Sequence, residues 1–370
     1  MLETLPAPTA TVPPSAKRPL TGMTLRELEV ILESRTRALA TLNWLYGTEK
    51  LPALLPESHP EVTGRSWSRL REICELPTHK ILERHLSADG TTKYAIELSG
   101  AAIETVLIPT EDRSTVCVSS QAGCTRACGF CATARLGFGR NLTASEIVTQ
   151  YLIARQDAVP SAPARNIVFM GMGEPMDNLD EVLTALEIFT QAPAPRLSQA
   201  HLTVSTSGVL PGILRFLKES KANLALSLNG TTDAQREVLM PQNKIWPIAE
   251  LLGALRSDAK NTGRSFFIEY VVFDGVNDGD DDARRMVTLL EEIPVRVNLI
   301  PHNPFPGSPF LPAKDERLKA MQKIVAAAGL RCIVRWPRGR EIGAACGQLA
   351  MTVSEGVVVP EQKLKRRATK

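Results

Sequence analysis

Residues 115–131 read Thr115-Val-Cys117-Val-Ser-Ser-Gln-Ala-Gly-Cys124-Thr-Arg-Ala-Cys128-Gly-Phe-Cys131, a short apolar β-type run followed directly by a loop with three cysteines. Cys124, Cys128 and Cys131 have the spacing C-x3-C-x2-C. Soft thiolates on one short loop can converge on one centre, and they select zinc, copper or an iron–sulfur cluster. Structural zinc needs four closing ligands, usually in two paired knuckles, and the sequence offers no second pair. We therefore favour a four-iron cluster with one iron open to a small molecule, and keep a zinc site as the alternative.

The cysteine loop opens a series in which apolar β-type runs alternate with helical runs. We predict further strands at residues 165–171, 201–206, 222–228, 265–273 and 295–300. With residues 115–120 as the first strand, six strand-then-helix units follow one another. This order is typical of a parallel sheet with helical crossovers, either open or rolled into a barrel. Ligands of such folds collect at the carboxyl ends of the strands.

The part of the chain before this series is predominantly helical. Thr24 and Glu27 form a capping-box pattern, and an apolar stripe continues to about Tyr46. A second helical stretch surrounds Trp67, and residues 1–20 are rich in proline. We predict a disordered tail (1–20), a small N-terminal helical domain (21–90), an α/β catalytic domain (91–352) and a basic C-terminal tail (353–370).

Charge and composition exclude several classes of protein. The net charge of the 370 residues is +3, and the last ten residues hold five basic side chains and one acidic, so the rest is about neutral. Charge therefore neither indicates nor excludes a nucleic-acid partner. No apolar run of about 18 residues predicts a membrane helix, and the N-terminus lacks the pattern of a signal peptide. Seven cysteines in a chain of this size argue against a disulfide framework. We expect a soluble cytoplasmic protein.

Polar or glycine-rich segments follow several of the predicted strands. Gly171-Met-Gly173-Glu174-Pro175 begins like a dinucleotide fingerprint, but proline stands where the helix should start, so that interpretation fails. Its glycines allow a ligand to approach the backbone, and Glu174 offers a carboxylate to an ammonium group. The other polar strand ends are Ser205-Thr-Ser-Gly208, Ser227-Leu228-Asn229 and Asn303. Each alone is explained by turn or cap chemistry, but their recurrence indicates a shared polar pocket.

The cysteine loop and the Gly173-Glu174 element together resemble the radical S-adenosylmethionine (SAM) superfamily, in which the open iron binds the methionine moiety of SAM. Further motifs, in the same order, resemble the dual-specificity RNA methyltransferases of the RlmN/Cfr type over roughly residues 85–350. These motifs lie at residues 117–121, 137–138, 140–143, 170–178, 205–208, 226–229, 301–307 and 344–349. Residues 37–40 and 336–339 depart from the family pattern in parts that contact RNA, which puts the RNA substrate in question.

The resemblance implies a partial (β/α)6 TIM-like radical SAM barrel with a helical RNA-binding accessory domain. It implies a 4Fe-4S cluster on Cys124, Cys128 and Cys131, and two SAM molecules per turnover. The partners implied are 23S rRNA, tRNA and a reducing electron donor such as flavodoxin or ferredoxin, with no membrane, and we expect a monomer. The implied cofactor-binding residues are Gly173, Glu174, Ser205, Ser227, Leu228, Asn229 and Asn303.

The family chemistry gives a role to three more residues. Adenine C2 is electrophilic, so ordinary displacement of a methyl group from SAM does not reach it. Family members instead methylate a cysteine, which matches Cys346, and a SAM-derived radical activates the thiomethyl group for addition to the base. A second thiol, which matches Cys117, resolves the protein–RNA adduct through a disulfide. Glu104 matches the proton acceptor, although pairing with an arginine is the commoner role of such a residue.

Three alternative functions stay open at the level of sequence. One is methylation of adenosine at C8, the activity of the Cfr branch. A second is a radical enzyme that activates a protein partner, which would not need the pair Cys117 and Cys346. The third is a non-catalytic iron–sulfur or zinc module, which would not cleave SAM.

Overall fold

A ten-stranded mixed sheet forms the centre of the computed structural model, which describes residues 17–47, 50–193 and 195–350. The strands are β1 (Arg18–Pro19), β2 (Cys74–Glu75), β3 (His79–Leu86), β4 (Thr92–Leu98), β5 (Ala101–Pro109), β6 (Ser114–Cys117), β7 (Gln121–Gly123), β8 (Phe138–Asn141), β9 (Ala164–Phe169), β10 (Leu202–Thr206), β11 (Asn223–Ser227), β12 (Phe266–Val272), β13 (Val295–Pro301) and β14 (Arg331–Val334). The α-helices are α1 (Leu25–Leu32), α2 (Arg35–Gly47), α3 (Gly64–Ile73), α4 (Ala132–Leu136), α5 (Ala144–Ala154), α6 (Leu179–Thr190), α7 (Leu210–Glu219), α8 (Asp233–Leu239), α9 (Ile248–Thr262), α10 (Asp280–Leu289) and α11 (Asp315–Ala327).

The sheet confirms the predicted α/β fold class. Its strand order is β14-β13-β12-β11-β10-β9-β6-β5-β4-β3, and every neighbouring pair from β14 to β6 is parallel. The six predicted parallel strands are therefore β6 and β9 to β13, and β14 extends them. Because parallel neighbours need crossovers, helices lie between these strands along the chain. The carboxyl ends of the parallel strands meet at one edge of the sheet.

Three antiparallel strands extend the sheet beyond β6. Strand β5 pairs with β6, β4 with β5, and β3 with β4. The sheet begins at His79 with β3, within the residues 21–90 that the sequence predicted as helical. The sequence pattern missed β3 because most of its side chains are polar and only partly buried, so no alternation marks it.

Local sequence features set the ends of the N-terminal helices. Thr24 caps α1 and forms the predicted capping box with Glu27. The predicted single stripe to Tyr46 is two helices, because Glu33 adopts a left-handed conformation with φ of 50° between α1 and α2. The predicted tail also ends earlier than residue 20, since β1 pairs with β2 and Leu20 is fully buried.

The helices α1 to α3 share one hydrophobic core with the sheet. Leu28 and Trp67 belong to the same buried cluster as Ile147 of α5 and Val116 of β6. Burial of this shared apolar surface holds the helical part against the sheet. The division into separate domains stays a prediction, and residues 1–16 and 351–370, which include most of both predicted tails, lie outside the described residues.

In the described part of the chain, no helix is both long and apolar enough to span a membrane.

Candidate active site

The three-cysteine loop is closed at its base by a short β-ribbon. Strand β7 pairs antiparallel with β8, and the Cys124 N–H donates to the Gly137 carbonyl at 2.9 Å. Gly123 has φ of 80°, and a Cβ there would lie 1.9 Å from the Gly137 oxygen, so the ribbon requires glycine. The loop then carries Cys124, Cys128 and Cys131, each half-buried, and α4 begins directly after the last of them.

The three thiols are electrostatic neighbours of one another. The pKa of the Cys124 thiol is raised to about 12, mainly by burial, with contributions from the nearby Glu174 and Cys131. Burial also raises the pKa of Cys128, with contributions from Cys131 and Cys124. Free thiolates are therefore disfavoured here, whereas a bound metal centre would supply the positive charge that stabilises them.

This donor set suits an iron–sulfur cluster, because soft cysteine thiolates are the usual ligands of such clusters. Among the described residues, no group of three or more His, Cys, Asp or Glu side chains is arranged to hold one metal ion. A zinc ion needs its thiolates about 2.3 Å from one point. In an iron–sulfur cluster the cysteines bind different irons, so they need not converge on a point.

The Glu174 carboxylate lies at the carboxyl edge beside the cysteine loop. Its Oε2 accepts hydrogen bonds from the Ser207 N–H at 2.8 Å and from the Ser207 hydroxyl at 2.6 Å, and its Oε1 accepts from the Met176 N–H at 3.1 Å. Burial raises the pKa of Glu174, and these donors oppose that shift. The donors fix the direction of the carboxylate, and the remaining acceptor capacity of its oxygens can serve a cationic ligand.

The backbone itself requires glycine at position 173, and the approach of a ligand to this glycine stays a prediction. Its φ is 106°, and a Cβ there would lie 2.7 Å from the nitrogen and 2.7 Å from the Cβ of Gln121. The segment that ends in Glu174 runs against the extension of β6, where the Glu174 N–H donates to Gln121 Oε1 at 3.0 Å. Glycine allows this approach and so places the Glu174 side chain.

We expect Gly173→Ala to lower the free energy of unfolding by about 2 kcal/mol and to weaken SAM binding, because it adds strain and displaces Glu174. Denaturant unfolding and equilibrium dialysis with SAM would measure the two effects. Gly253→Ala in α9 is the matched control, since nothing lies within 4 Å of the added Cβ. An equal response of both variants would contradict the expectation.

The polar residues that follow β10 and β11 differ in what they can contact. Ser205 and Ser227 are half-buried, and the sheet register puts both on the face that carries Cys117. Leu228 is fully buried in the core, so only its backbone can meet a ligand. Asn229 is also buried, with φ of 54°, and its Oδ1 accepts from the Val271 N–H at 2.8 Å. Asn229 therefore shapes the strand end.

Arg236 organises this edge, and sequence reasoning missed it. The side chain is fully buried and donates to the carbonyls of Leu228 at 2.9 Å and Ser227 at 3.2 Å, and to that of Ser207. Burial lowers the pKa of Arg236 to about 10, so it still carries its charge at neutral pH. It ties together the ends of β10 and β11. In the sequence it looks like an ordinary surface arginine of a short helix, so no pattern identified it.

Cys117 and Cys346 are brought together from positions 229 residues apart in the chain. Cys117 is the buried last residue of β6, opposite Val106 of β5. Burial raises the pKa of Cys117, and the nearby Cys346 adds to the shift, which shows that the two thiols are within electrostatic range.

Cys346 lies on the loop formed by residues 338–349, which we call the 338–349 loop. The Asn303 amide donates to the Cys346 carbonyl at 3.5 Å, and the Ala132 N–H donates to the Gly347 carbonyl at 2.8 Å. Cys346 is open to solvent on one side, but the protein packed around its thiol raises the pKa of that thiol to about 11, with Glu269 and Cys131 adding to the shift. Cys346 is thus near both Cys117 and the cysteine loop.

Glu104 shares the sheet face of Cys117. Val106 pairs with Cys117 across β5 and β6, and Glu104 is two residues from Val106 on the same strand. Its side chain is 1% exposed, and its Oε1 lies 3.0 Å from the Lys93 ammonium. A charged partner of Glu104 in the structure is thus the Lys93 ammonium.

A second polar chain on the same face also escaped sequence reasoning. The Asn298 amide donates to Glu269 Oε1 at 2.7 Å, and Arg335 Nε donates to Asn298 Oδ1 at 3.3 Å. Burial raises the pKa of Glu269. A carboxylate inside the apolar run at residues 265–273 was the available signal, because buried acids are rare without a structural or chemical reason.

Comparison with known proteins agrees with this geometry. The profile of the Radical SAM superfamily matches residues 118–287. The chain is 40% identical over 368 residues to the dual-specificity RNA methyltransferase RlmN of Paracoccus denitrificans, covering 93% of each chain. It is 47% identical over 271 residues to dual-specificity RNA methyltransferase RlmN 2 of Myxococcus xanthus, covering 71% of this chain and 72% of the relative.

A solved structure has the same fold. The radical SAM methyltransferase from Sphaerobacter thermophilus superposes with a TM-score of 0.83 at 37% identity, covering 90% of this chain and 99% of that one. The protein-activating and non-catalytic alternatives find no support among these relatives. The sequence identity over nearly the whole length, together with the cysteine loop at the carboxyl edge of the sheet, shows that this chain belongs to the RlmN family of radical SAM RNA methyltransferases.

Proposed function

We propose that this protein methylates C2 of adenosine in 23S rRNA and tRNA, using two SAM molecules per turnover and a transient covalent bond to the RNA. The observation that carries the proposal is the position of Cys346: its neighbour Gly347 accepts a hydrogen bond from Ala132, which follows Cys131, and its thiol is an electrostatic neighbour of Cys117. Two thiols beside one radical-generating centre suit a methyl carrier and a resolving nucleophile. A simple methyl transfer by displacement would need neither.

Cys124, Cys128 and Cys131 would hold a 4Fe-4S cluster. When bound and reduced, the cluster and SAM supply a 5′-deoxyadenosyl radical. Glu174 would bind the amino group of SAM, since its direction is set by Ser207 and Met176. Ser205, Ser227 and Asn303 would offer polar side chains to the remainder of SAM, while Leu228 would contribute through its backbone and Asn229 through the shape of the strand end.

Cys346 would carry the methyl group to the base. Its sulfur first accepts a methyl group from SAM. The thiomethyl group would then give a hydrogen atom to the 5′-deoxyadenosyl radical, and its carbon would add to C2. Glu104 would take the C2 proton, and the one surplus electron would leave the ring for the metal centre that the loop cysteines would hold. The Cys117 sulfur then attacks the Cys346 sulfur, so that an S–S bond forms and the S–C bond breaks. The carbon leaves with the electron pair and takes up a proton as the new methyl group.

Access of the adenine to this site requires it to leave its stack. Cys117 and Glu104 are buried on the face of the sheet, where a stacked base would not reach them. We therefore propose that the protein holds the RNA by its sugar–phosphate backbone. One adenine would turn out of its stack toward Cys117 and Glu104. A reducing donor such as flavodoxin or ferredoxin would supply the electron, and cytoplasmic location and a monomeric state stay predictions.

We expect Cys117→Ala to leave methylation of Cys346 intact and to accumulate a covalent protein–RNA adduct, because no thiol remains to break the S–C bond. The adduct would appear as a nuclease-sensitive band of slower mobility on a denaturing gel. Cys332→Ala, at another buried cysteine on β14, is the matched control and should give free methylated RNA. Equal amounts of adduct in both variants would contradict the role of Cys117.

The function itself is tested with unmodified transcripts. Reconstituted protein, reductant and SAM with a labelled methyl group would be incubated with a 23S rRNA fragment or a tRNA, and the nucleosides separated by mass spectrometry. We expect 2-methyladenosine. Finding 8-methyladenosine would assign the activity of the Cfr branch, and no labelled adenosine in either RNA would overturn the proposal.

A further inference from the structure

Lys93 is a buried lysine that joins two parts of the active site. Its side chain lies on β4 and the residue is 8% exposed. The ammonium lies 3.0 Å from Glu104 Oε1 and donates to the Gly343 carbonyl at 3.4 Å. Glu104 belongs to the sheet, whereas Gly343 belongs to the 338–349 loop that carries Cys346. One side chain therefore contacts both.

The sheet register explains why lysine reaches both partners. Lys93 pairs with Val106, which pairs with Cys117, so Lys93 and Cys117 lie in one row across three strands. Glu104 is the diagonal neighbour of Lys93 on the same face, a spacing that a long side chain can bridge. Gly343 lies close to the Lys93 ammonium, since a Cβ added to Gly343 would lie 3.4 Å from Lys93 Nζ.

The 338–349 loop is held elsewhere by contacts that do not involve the proposed base. Arg338 Nε donates to Asp89 Oδ2 at 2.8 Å, and the Gly339 N–H donates to the same oxygen at 3.1 Å. Glu341 accepts from the Ser87 hydroxyl and from the Ala88 N–H. These contacts fasten the start of the loop to the turn between β3 and β4, and hydrogen bonds to Ala132 and Asn303 hold its end. Lys93 links the loop to Glu104.

We propose that Lys93 is a positioning residue that holds the Glu104 carboxylate and the Cys346-bearing loop in one arrangement, so that proton acceptor and methyl-carrying sulfur meet the same adenine. The inference rests on the roles proposed above for Glu104 and Cys346. Packing alone does not explain a lysine here, because burying an ammonium is unfavourable unless charged and polar partners compensate it, and an apolar side chain would fill the space at less cost.

The test separates the two halves of the reaction in Lys93→Met. We expect methylation of Cys346, read from the mass of the protein after incubation with SAM, to stay within about threefold of the unmodified chain. Methyl transfer from Cys346 to RNA should fall by more than about tenfold, because small misplacement of reacting groups costs rate steeply. Lys80→Met, on the exposed side of β3, is the matched control and should change neither of these.

A parallel Glu104→Gln variant separates failure of this inference from failure of the proposed function. If Glu104→Gln keeps full RNA methylation, the proposed base is wrong. If Glu104→Gln is inactive while Lys93→Met transfers methyl groups normally, the inference about Lys93 is wrong, and it is equally wrong if Lys93→Met slows both half-reactions by the same factor. Should Lys93→Met fail to fold, Lys93→Arg, which can donate to both partners, should transfer faster than Lys93→Gln, and equal rates would overturn the inference.

Discussion

Cys346→Ala is expected to abolish methylation of RNA, a loss of at least about a thousandfold, because the variant has no sulfur to carry the methyl group. Binding of the cluster should persist, since Cys346 is not among the three loop cysteines. Reductive cleavage of SAM should persist for the same reason. Iron analysis, 5′-deoxyadenosine formation and RNA nucleoside analysis on the same preparation would measure the three properties.

The control for this variant is another cysteine outside the loop. Cys74 is buried among the N-terminal helices against Met23, and Cys74→Ala should retain RNA methylation. If Cys346→Ala still methylated RNA, the methylcysteine route would be wrong and a direct transfer or a different radical enzyme would replace it. Loss of iron together with methylation would instead assign Cys346 to the metal centre.

Cys128→Ser is expected to remove the iron–sulfur centre and every activity that depends on it. Burial already disfavours the thiolate at this position, and a hydroxyl is a harder and weaker ligand for iron than a thiolate. We expect iron and sulfide contents near zero after anaerobic reconstitution. SAM cleavage, methylation of Cys346 and methylation of RNA should all be lost.

The metal content of the protein distinguishes an iron–sulfur cluster from a zinc site. The unmodified protein should contain about four irons and four sulfides per chain, which elemental analysis would measure. One equivalent of zinc with full activity would contradict the cluster, and so would a Cys128→Ser variant that kept its iron. Cys332→Ala provides the control, since this buried thiol lies on β14 away from the loop.

Strands and capped helices were predictable because their signals are local. The apolar runs at 165–171 and 265–273 became β9 and β12 within two residues, and Thr24 with Glu27 correctly marked the start of α1. Strand β3 was missed because its mostly polar side chains show no alternation. Its pairing with β4 is visible only in the structure. The break at Glu33 was missed because a single left-handed residue leaves the apolar spacing on either side intact.

The residues of the candidate site also differ in whether a local sequence signal identifies them. Cys124, Cys128 and Cys131 lie within eight residues, so their spacing alone identified the loop. The sequence suggested Cys117, Glu104 and Cys346 only through resemblance, since nothing local connects them. Arg236 and Lys93 carry no local pattern, and Glu269 stands out only as an acid inside an apolar run. Only the fold shows that all three are buried and hydrogen-bonded.

The amino-acid order by itself determined the α/β class, the six successive strands and the metal-binding loop, because periodicity, capping and ligand spacing act over a few residues. Only the tertiary structure decided that Cys117, Glu104 and Lys93 share one face and that the 338–349 loop returns to meet them. Those contacts join residues as far apart as 250 positions, and they depend on strand register and on the burial of charge, which no short stretch of chain encodes.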